Sequence, residues 1–238
     1  MSYYTGPDIT SNNLIMCVDA ANTKSYSGTG TAWNDLCNNG MGVTVTANYN
    51  FNALRGGSFL NTTSGDSGGM TVSLTNFSKT VGTMEFWASA TSWNDSNGLF
   101  INRDVTTSNA ADWLWFGVWS GGSTLYFRTG DGTNCCNNDL TVNSWSSIHP
   151  TGVWGHYVVS WSSGNTARIY FNGRLRASRS ISSIPSTNPS ATGQIGIGHT
   201  STNSRWLGYI ASVKMYNRQL TDAEISQNYN AVKSKFGL

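Results

Sequence analysis

The chain has 238 residues, a formal net charge of +2 and only 11% charged residues, against about a quarter in an ordinary globular protein. So small a net charge argues against nucleic acid as a partner, because phosphate binding needs a concentrated basic face. No apolar run reaches the roughly 18 residues of a membrane span. The opening Met-Ser-Tyr-Tyr-Thr-Gly-Pro also lacks the basic start and apolar core of a signal peptide, so synthesis in a cytoplasm without export is expected.

Polarity comes instead from Asn, Ser, Thr and Gly, which favour turns over helices and suit many short strands. No linker or change of composition divides the chain, so an arm over residues 1–12 and one domain over 13–238 are expected. The four cysteines are Cys17, Cys37, Cys135 and Cys136. An adjacent pair is a poor basis for a disulfide framework and no Cys-x-x-Cys occurs. Free thiols are therefore expected, with a Cys17–Cys37 bridge as the alternative.

In chain order, Met1–Ser11 has no periodicity. It reads as an arm that is disordered or laid on a neighbour, with Tyr3 and Tyr4 as candidate partner contacts. Leu14–Ala20 is a buried strand, followed by a polar loop to Leu36. Gly65-Asp66-Ser67-Gly68-Gly69 has the form of a serine nucleophile signature, which needs a histidine base. All three histidines follow Ser67 in the chain and no helical period follows Gly69, so a glycine-rich turn is the better reading.

Thr83–Ser89 alternates, with Met84, Phe86 and Ala88 opposite Glu85 and Trp87. Glycoside hydrolysis needs two carboxylates flanking the bond. No second acid follows Glu85 on this strand, so Glu85 reads as a structural acceptor. Asp95, Asp104 and Asp112 lie in a polar stretch and are hard oxygen donors, but no twelve-residue calcium loop is present. Neither a cofactor nor a metal is therefore expected, calcium being the one candidate.

Trp113–Trp119 is apolar on both faces, with Leu114, Phe116 and Val118 opposite Trp113, Trp115 and Trp119. One face belongs to a core. The other is either a tryptophan platform for sugars or a partner chain, or a second layer covered by the Asn134–Pro150 segment.

Trp154–Arg174 gives two alternating aromatic strands, and Asn172-Gly173 supplies the pair that a tight hairpin turn into a third strand requires. Arg168, Arg174, Arg176 and Arg179 then line that meander's edge. They form either a solvated edge that deters pairing or, through Arg174 and Arg176, a contact with an acidic neighbour. The strand from Leu207 places Ala211, Val213 and Met215 inward. Thr221 and Glu224 form a capping box, Leu220 and Ile225 a staple, and Ile225, Tyr229, Val232 and Phe236 an apolar stripe, which predicts a helix over 222–236 that docks on the sheets.

Three stretches carry a family resemblance. Trp-x-His-Tyr-Val-Val-Ser-Trp with Ile-Tyr-Phe-Asn-Gly, the Asn-x-Lys-Ser-Tyr and Trp-x-Asp-Leu loop after the first strand, and the closing Tyr-Asn-Arg-x-Leu-Thr-x-x-Glu-Ile resemble laminin-G-like domains of the concanavalin A-like superfamily. The first-strand loop and the closing stretch resemble the forms found on bacteriophage virion proteins. The resemblance implies an all-β antiparallel jelly-roll sandwich with one C-terminal helix. Some such domains bind calcium.

The function expected is a non-enzymatic phage virion structural protein, a capsid decoration or tail-associated component located in the virion. Its partners would be other virion proteins and further copies of itself, a trimer being one arrangement, with no nucleic acid and no membrane. The alternative is a lectin-like module holding a host-surface glycan on Trp113, Trp115 and Trp119. A glycoside hydrolase is the third reading.

Overall fold

The computed structural model describes residues 8–53, 57–61, 69–93, 96–102, 113–134, 136–186, 190–198 and 205–238. In chain order the strands are β1 (Leu14–Asp19), β2 (Ala32–Trp33), β3 (Val43–Thr44), β4 (Tyr49–Asn52), β5 (Ser58–Asn61), β6 (Met70–Ser73), β7 (Val81–Ala90), β8 (Ser96–Asn102), β9 (Leu114–Trp119), β10 (Thr124–Thr129), β11 (Leu140–Asn143), β12 (Gly155–Ser162), β13 (Thr166–Phe171), β14 (Arg174–Ser180), β15 (Thr192–Ile195) and β16 (Gly208–Tyr216). The one-turn helix α1 (Trp145–Ile148) precedes β12, and helix α2 (Asp222–Val232) follows β16.

Among the described residues these strands form two eight-stranded sheets. The first runs β14-β13-β12-β7-β16-β5-β4. Here β16 is long enough to serve two neighbours on one edge, β5 along Gly208–Ile210 and β1 along Ser212–Tyr216. The second runs β11-β10-β9-β8-β15-β6-β3-β2. The strands pair antiparallel throughout, and half of the pairings join strands that are not consecutive in the chain, the pattern of a jelly roll rather than a simple meander.

The core lies between the sheets and follows the expected alternation. Met84, Phe86 and Ala88 of β7, Tyr157, Val159 and Trp161 of β12, and Leu114, Phe116 and Val118 of β9 all enter it. Phe86 meets Phe116 at 6.1 Å and Trp161 meets Phe127 at 5.4 Å, so rings from opposite sheets interdigitate. The Trp161 indole keeps its hydrogen bond in this apolar layer by donating to the Lys79 carbonyl at 2.7 Å.

The turn into β14 has the expected chemistry. Asn172 and Gly173 both adopt positive φ, 52° and 73°, which matches the strand twist of a two-residue hairpin.

Helix α2 caps as its sequence dictates. Thr221 Oγ1 accepts from the Glu224 amide and Glu224 Oε2 accepts from the Thr221 amide. Leu220 and Ile225 pack together over Val158, Tyr170 and Tyr216 of the first sheet. The α-helical ladder stops at Val232 rather than continuing to 236. Lys233–Phe236 tighten into a 3-10 turn that Gly237 ends at φ 74°, the usual way a helix closes its last carbonyls.

Two other expectations are corrected, the direction of Ala211 and the state of the thiols, and two further segments are placed. Ala211 does not point into the core. A bulge between Ile210 and Ser212 puts Ile210 and Val213 inward and sends Ala211 to the helix-facing side with Trp87 and Phe236. The described residues of the Asn134–Pro150 segment add β11 to the sheet edge, bring Asp139 to Arg128, and turn Trp145 and His149 into the sandwich end against Tyr157 and Phe171.

Of the expected arm, residues 8–12 are among those described. From Asp8 it lies on its own chain, the Thr10 amide donating to Asn228 Oδ1 at 2.7 Å and Gln227 donating to the Asp8 carbonyl at 2.6 Å. Last, Cys136 is disulfide-bonded while Cys17 and Cys37 are free, so the thiols are not all reduced. Bond formation depends on where Cβ atoms sit, which sequence spacing does not reveal. Burial and the nearby Asp35 carboxylate push the Cys37 thiol up to about 12, far from a reactive thiolate.

Candidate functional site

Each sheet has an outer face, and each face gathers aromatic rings around a carboxylate and a cation. On the first sheet the carboxylate is Glu85. It stands on β7 between Lys214 of β16 and His156 of β12, since these strands pair directly, Lys214 opposite Glu85 and His156 opposite Trp87. Lys214 Nζ lies 3.7 Å and His156 Nε2 3.5 Å from Glu85 Oε2, while Asn228 of α2 donates to Oε1 at 2.7 Å. Burial pushes the Glu85 carboxyl up, but His156, Lys214 and Asn228 more than offset it and hold the group below its ordinary value. Burial also pushes the His156 imidazole down, which keeps it neutral at pH 7.

Helix α2 and the turn after it close this face. Phe236 stacks on Trp87 at 4.4 Å and Tyr229 at 5.9 Å, leaving Glu85 only 1% exposed. A glycosidic bond cannot reach this carboxylate. The chain's other glutamate, Glu224, is held by the Arg218 guanidinium at the start of the helix, which draws it down to about 2. The two acids do not flank one space, so the described glutamates do not form the pair that hydrolysis needs.

On the second sheet the outer face leaves Trp119 exposed among the described residues. The alternation of β9 and β10 brings Trp115, Trp119, Tyr126 and Arg128 to one side, opposite the core residues Phe116, Val118, Leu125 and Phe127. Arg128 reaches Asp139, just before β11, in a two-pronged ion pair, Nε to Oδ1 at 2.9 Å and Nη2 to Oδ2 at 2.7 Å. Its guanidinium lies 5.6 Å from the Tyr126 ring and 6.0 Å from the Trp119 ring. Trp115 meets Trp119 edge-on at 5.8 Å. The Trp115 ring leans over Gly117, where a Cβ would come within 3.0 Å of it and 2.5 Å of the Asn97 carbonyl. A glycine is therefore needed at that point of the strand.

The expected tryptophan platform is thus rearranged. Trp119 offers a ring, 37% exposed; Trp115, 3% exposed, backs it within a small cluster containing Ile101 and Ile197. Trp113 precedes β9, on the same side by alternation, and is half-buried. Tyr126, Arg128 and Asp139 complete the face and were not foreseen. The available signal was the alternation of Tyr126 and Arg128 against Leu125 and Phe127; nothing local marks Asp139 as their partner.

Arg174 and Arg176 lie elsewhere, at the hairpin turn and beside α2. Tyr3, Tyr4, Ser67, Asp95, Asp104 and Asp112 lie outside the described residues. Among the described residues no three His, Cys, Asp or Glu side chains gather as a metal site, and no helix is long and apolar enough to cross a membrane.

Comparison with solved structures gives similar folds at low identity. The binding domain of Paraclostridial Mosquitocidal Protein 1 matches with TM-score 0.64 and 16% identity over 92% of this chain and 52% of that one. The binding domain of Botulinum neurotoxin DC matches in complex with rat synaptotagmin II (TM-score 0.66) and with SialylT (TM-score 0.65), each at 16% identity over 92% of this chain and 52% of that one. The chain therefore spans about half the length of these domains, and the likeness is one of fold. No curated protein matches the sequence. A family model described as the Concanavalin A-like lectin/glucanases superfamily matches residues 63–226. With the antiparallel sandwich and its capped C-terminal helix, that match makes the chain a laminin-G-like member of the concanavalin A-like lectin and glucanase superfamily.

Proposed function

We propose that the chain is a non-enzymatic recognition module that holds a surface glycan on the open face of the second sheet. The observation that carries this is the Trp119 ring, exposed but rigidly backed by Trp115, beside an Arg128–Asp139 pair whose planar fork is fixed in place. A rigid aromatic plane offers apolar contact to the C–H face of a sugar, and fixed polar groups beside it orient the hydroxyls. The contrast with Glu85, sealed beneath α2, supports binding without bond cleavage. The neurotoxin binding domains of similar fold are titled as complexes with a protein receptor and with SialylT, which is consistent with a recognition role here.

A glycan array followed by calorimetry on the strongest hit tests this reading. Saturable binding that weakens by about tenfold or more in Trp119→Ala is expected, since a central aromatic anchor typically contributes roughly 2 kcal/mol. Binding that survives Trp119→Ala and Arg128→Gln unchanged would sink it.

A second reading concerns where the module works. The phage-like character of the first-strand loop and of the closing Tyr-Asn-Arg-x-Leu-Thr-x-x-Glu-Ile favours a virion structural protein, a decoration or tail component repeated in many copies. Repetition would suit glycan recognition, because many weak contacts on one particle sum to strong attachment. Mass spectrometry of purified particles, together with sedimentation of the isolated protein, tests it: stoichiometric presence and a discrete oligomer are expected, and absence from particles overturns it.

A further inference from the structure

The pocket between the β13–β14 turn and helix α2, of about 480 Å³, has a lining unlike that of the Trp119 face. Arg174, Arg176 and Lys233 contribute cations, Ser226 and Asn230 contribute a hydroxyl and an amide, and Tyr229 contributes part of a ring. None of the described lining residues is acidic, and none of the three cations makes an ion pair among the described residues.

The fold gathers these charges. A bulge in the β13–β14 pairing, where Ile169 faces Ala177 but Tyr170 faces Leu175, makes Arg176 the extra residue and re-aims it. Its guanidinium lies 6.0 Å from the Phe171 ring, and Lys233 Nζ lies 5.5 Å from the Tyr229 ring. Such ring contacts do not neutralise the cations, and Arg176 is exposed and Lys233 half-buried, so their N–H donors remain available.

Tyr229 in turn packs on the turn itself. A Cβ on Gly173 would meet its ring at 3.0 Å, so turn and helix are fitted to each other along one wall of the pocket. Like charges brought together repel, and a bound anion removes that cost while satisfying the exposed forks.

We propose that this pocket is a second binding site, specific for the carboxylate of an acidic sugar. The volume suits one or two sugar rings. The hydroxyl, amide and partial aromatic ring suit a polyhydroxylated body attached to the anion, where a bare inorganic anion would need the cations alone. The site is separate from the Trp119 face and does not depend on it.

Calorimetry on the full chain at low salt tests this with five probes: sialyllactose, a glucuronate-terminated disaccharide, neutral lactose, inorganic phosphate and an aspartate-rich peptide. One or both acidic sugars should bind at least about tenfold more tightly than lactose, and Arg176→Gln and Lys233→Gln should each weaken that binding by about tenfold, the usual scale for a charge-assisted contact. Arg168→Gln, on the same sheet but outside the pocket, should leave it unchanged. Which acidic sugar binds distinguishes a sialic acid from a uronic acid as the source of the carboxylate. Equal binding of lactose, binding of phosphate or peptide as tight as that of the acidic sugars, or insensitivity to both pocket substitutions would overturn the proposal.

Discussion

The two outer faces are built from the same ingredients and differ in one respect, cover. Beneath α2, Glu85 faces Lys214 while Trp87 lies flat against Phe236 and Tyr229. On the other side Asp139 grips Arg128, and Trp119 is 37% exposed against Trp115 and Arg128. A buried carboxylate costs several kcal/mol unless donors surround it, so the covered face spends its polar groups on holding the helix. The open face leaves the same kinds of group able to meet a ligand. Residue type alone therefore does not mark a site: Glu85 and Asp139 are both carboxylates set beside a cation and aromatic rings, yet only Glu85 is sealed.

The strongest test of this contrast removes a charge under the cover. Lys214→Met should cost about 3–5 kcal/mol, because it leaves Glu85 with an uncompensated charge in a dry layer. The double variant Glu85→Gln with Lys214→Met should recover much of the loss. Urea unfolding of the three proteins reads both effects, and a Lys214→Met variant as stable as the parent would mean the face is wetter than the packing of α2 implies. The corresponding cut on the other face, Asp139→Asn, should cost less, on the order of 1 kcal/mol, since this pair is only part-buried, 21% and 17% exposed, and still meets water.

Acid gives the next largest effect. His149 sits in the sandwich end among Trp145, Tyr157 and Phe171, where burial pushes its imidazole from 6.5 down to about 4. The unfolded chain takes up this proton near pH 6.5 and the folded chain only near 4. Stability is therefore full above pH 6.5, falls as the pH drops toward 4, and then levels off for this group, a loss on the order of 3 kcal/mol. His156 shifts in the same direction. Glu85, held below its ordinary 4.5, adds a further loss as the pH falls through its folded value. His149→Phe should flatten the upper part of this profile in urea titrations at stepped pH. An unchanged slope would place the sensitivity elsewhere.

Much of this was legible in the chain because local chemistry fixes it. The β12–β13–β14 meander follows from alternation and from Asn172-Gly173, and the start of α2 from Thr221 and Glu224. The sealed state of Glu85 was half legible: one acid on a strand cannot hydrolyse, but its donor Asn228 sits among the apolar positions of α2 with no mark of its own. What the sequence did not disclose depends on pairing between distant strands. The bulge that turns Ala211 away from the core adds a residue without altering the alternation around it. Asp139 becomes the partner of Arg128 only once β11 joins β10, and Arg176 joins Lys233 only once the helix returns over the hairpin.

The smallest expected effect on stability is the most telling for function. Trp119→Ala removes a ring that is 37% exposed at the end of β9 and should cost about 1 kcal/mol or less. Trp115→Ala removes a buried ring one step behind it and should cost about 3 kcal/mol. Both should weaken a glycan held on this face, Trp119→Ala by losing the contact and Trp115→Ala by loosening its backing. Conserved stability with lost binding in the first variant is what a recognition surface requires, because the exposed Trp119 ring has fewer native contacts to lose than the buried Trp115. If Trp119→Ala instead unfolded as readily as Trp115→Ala, its ring would belong to the packing of the second sheet, and the difference between the covered and the open face would vanish.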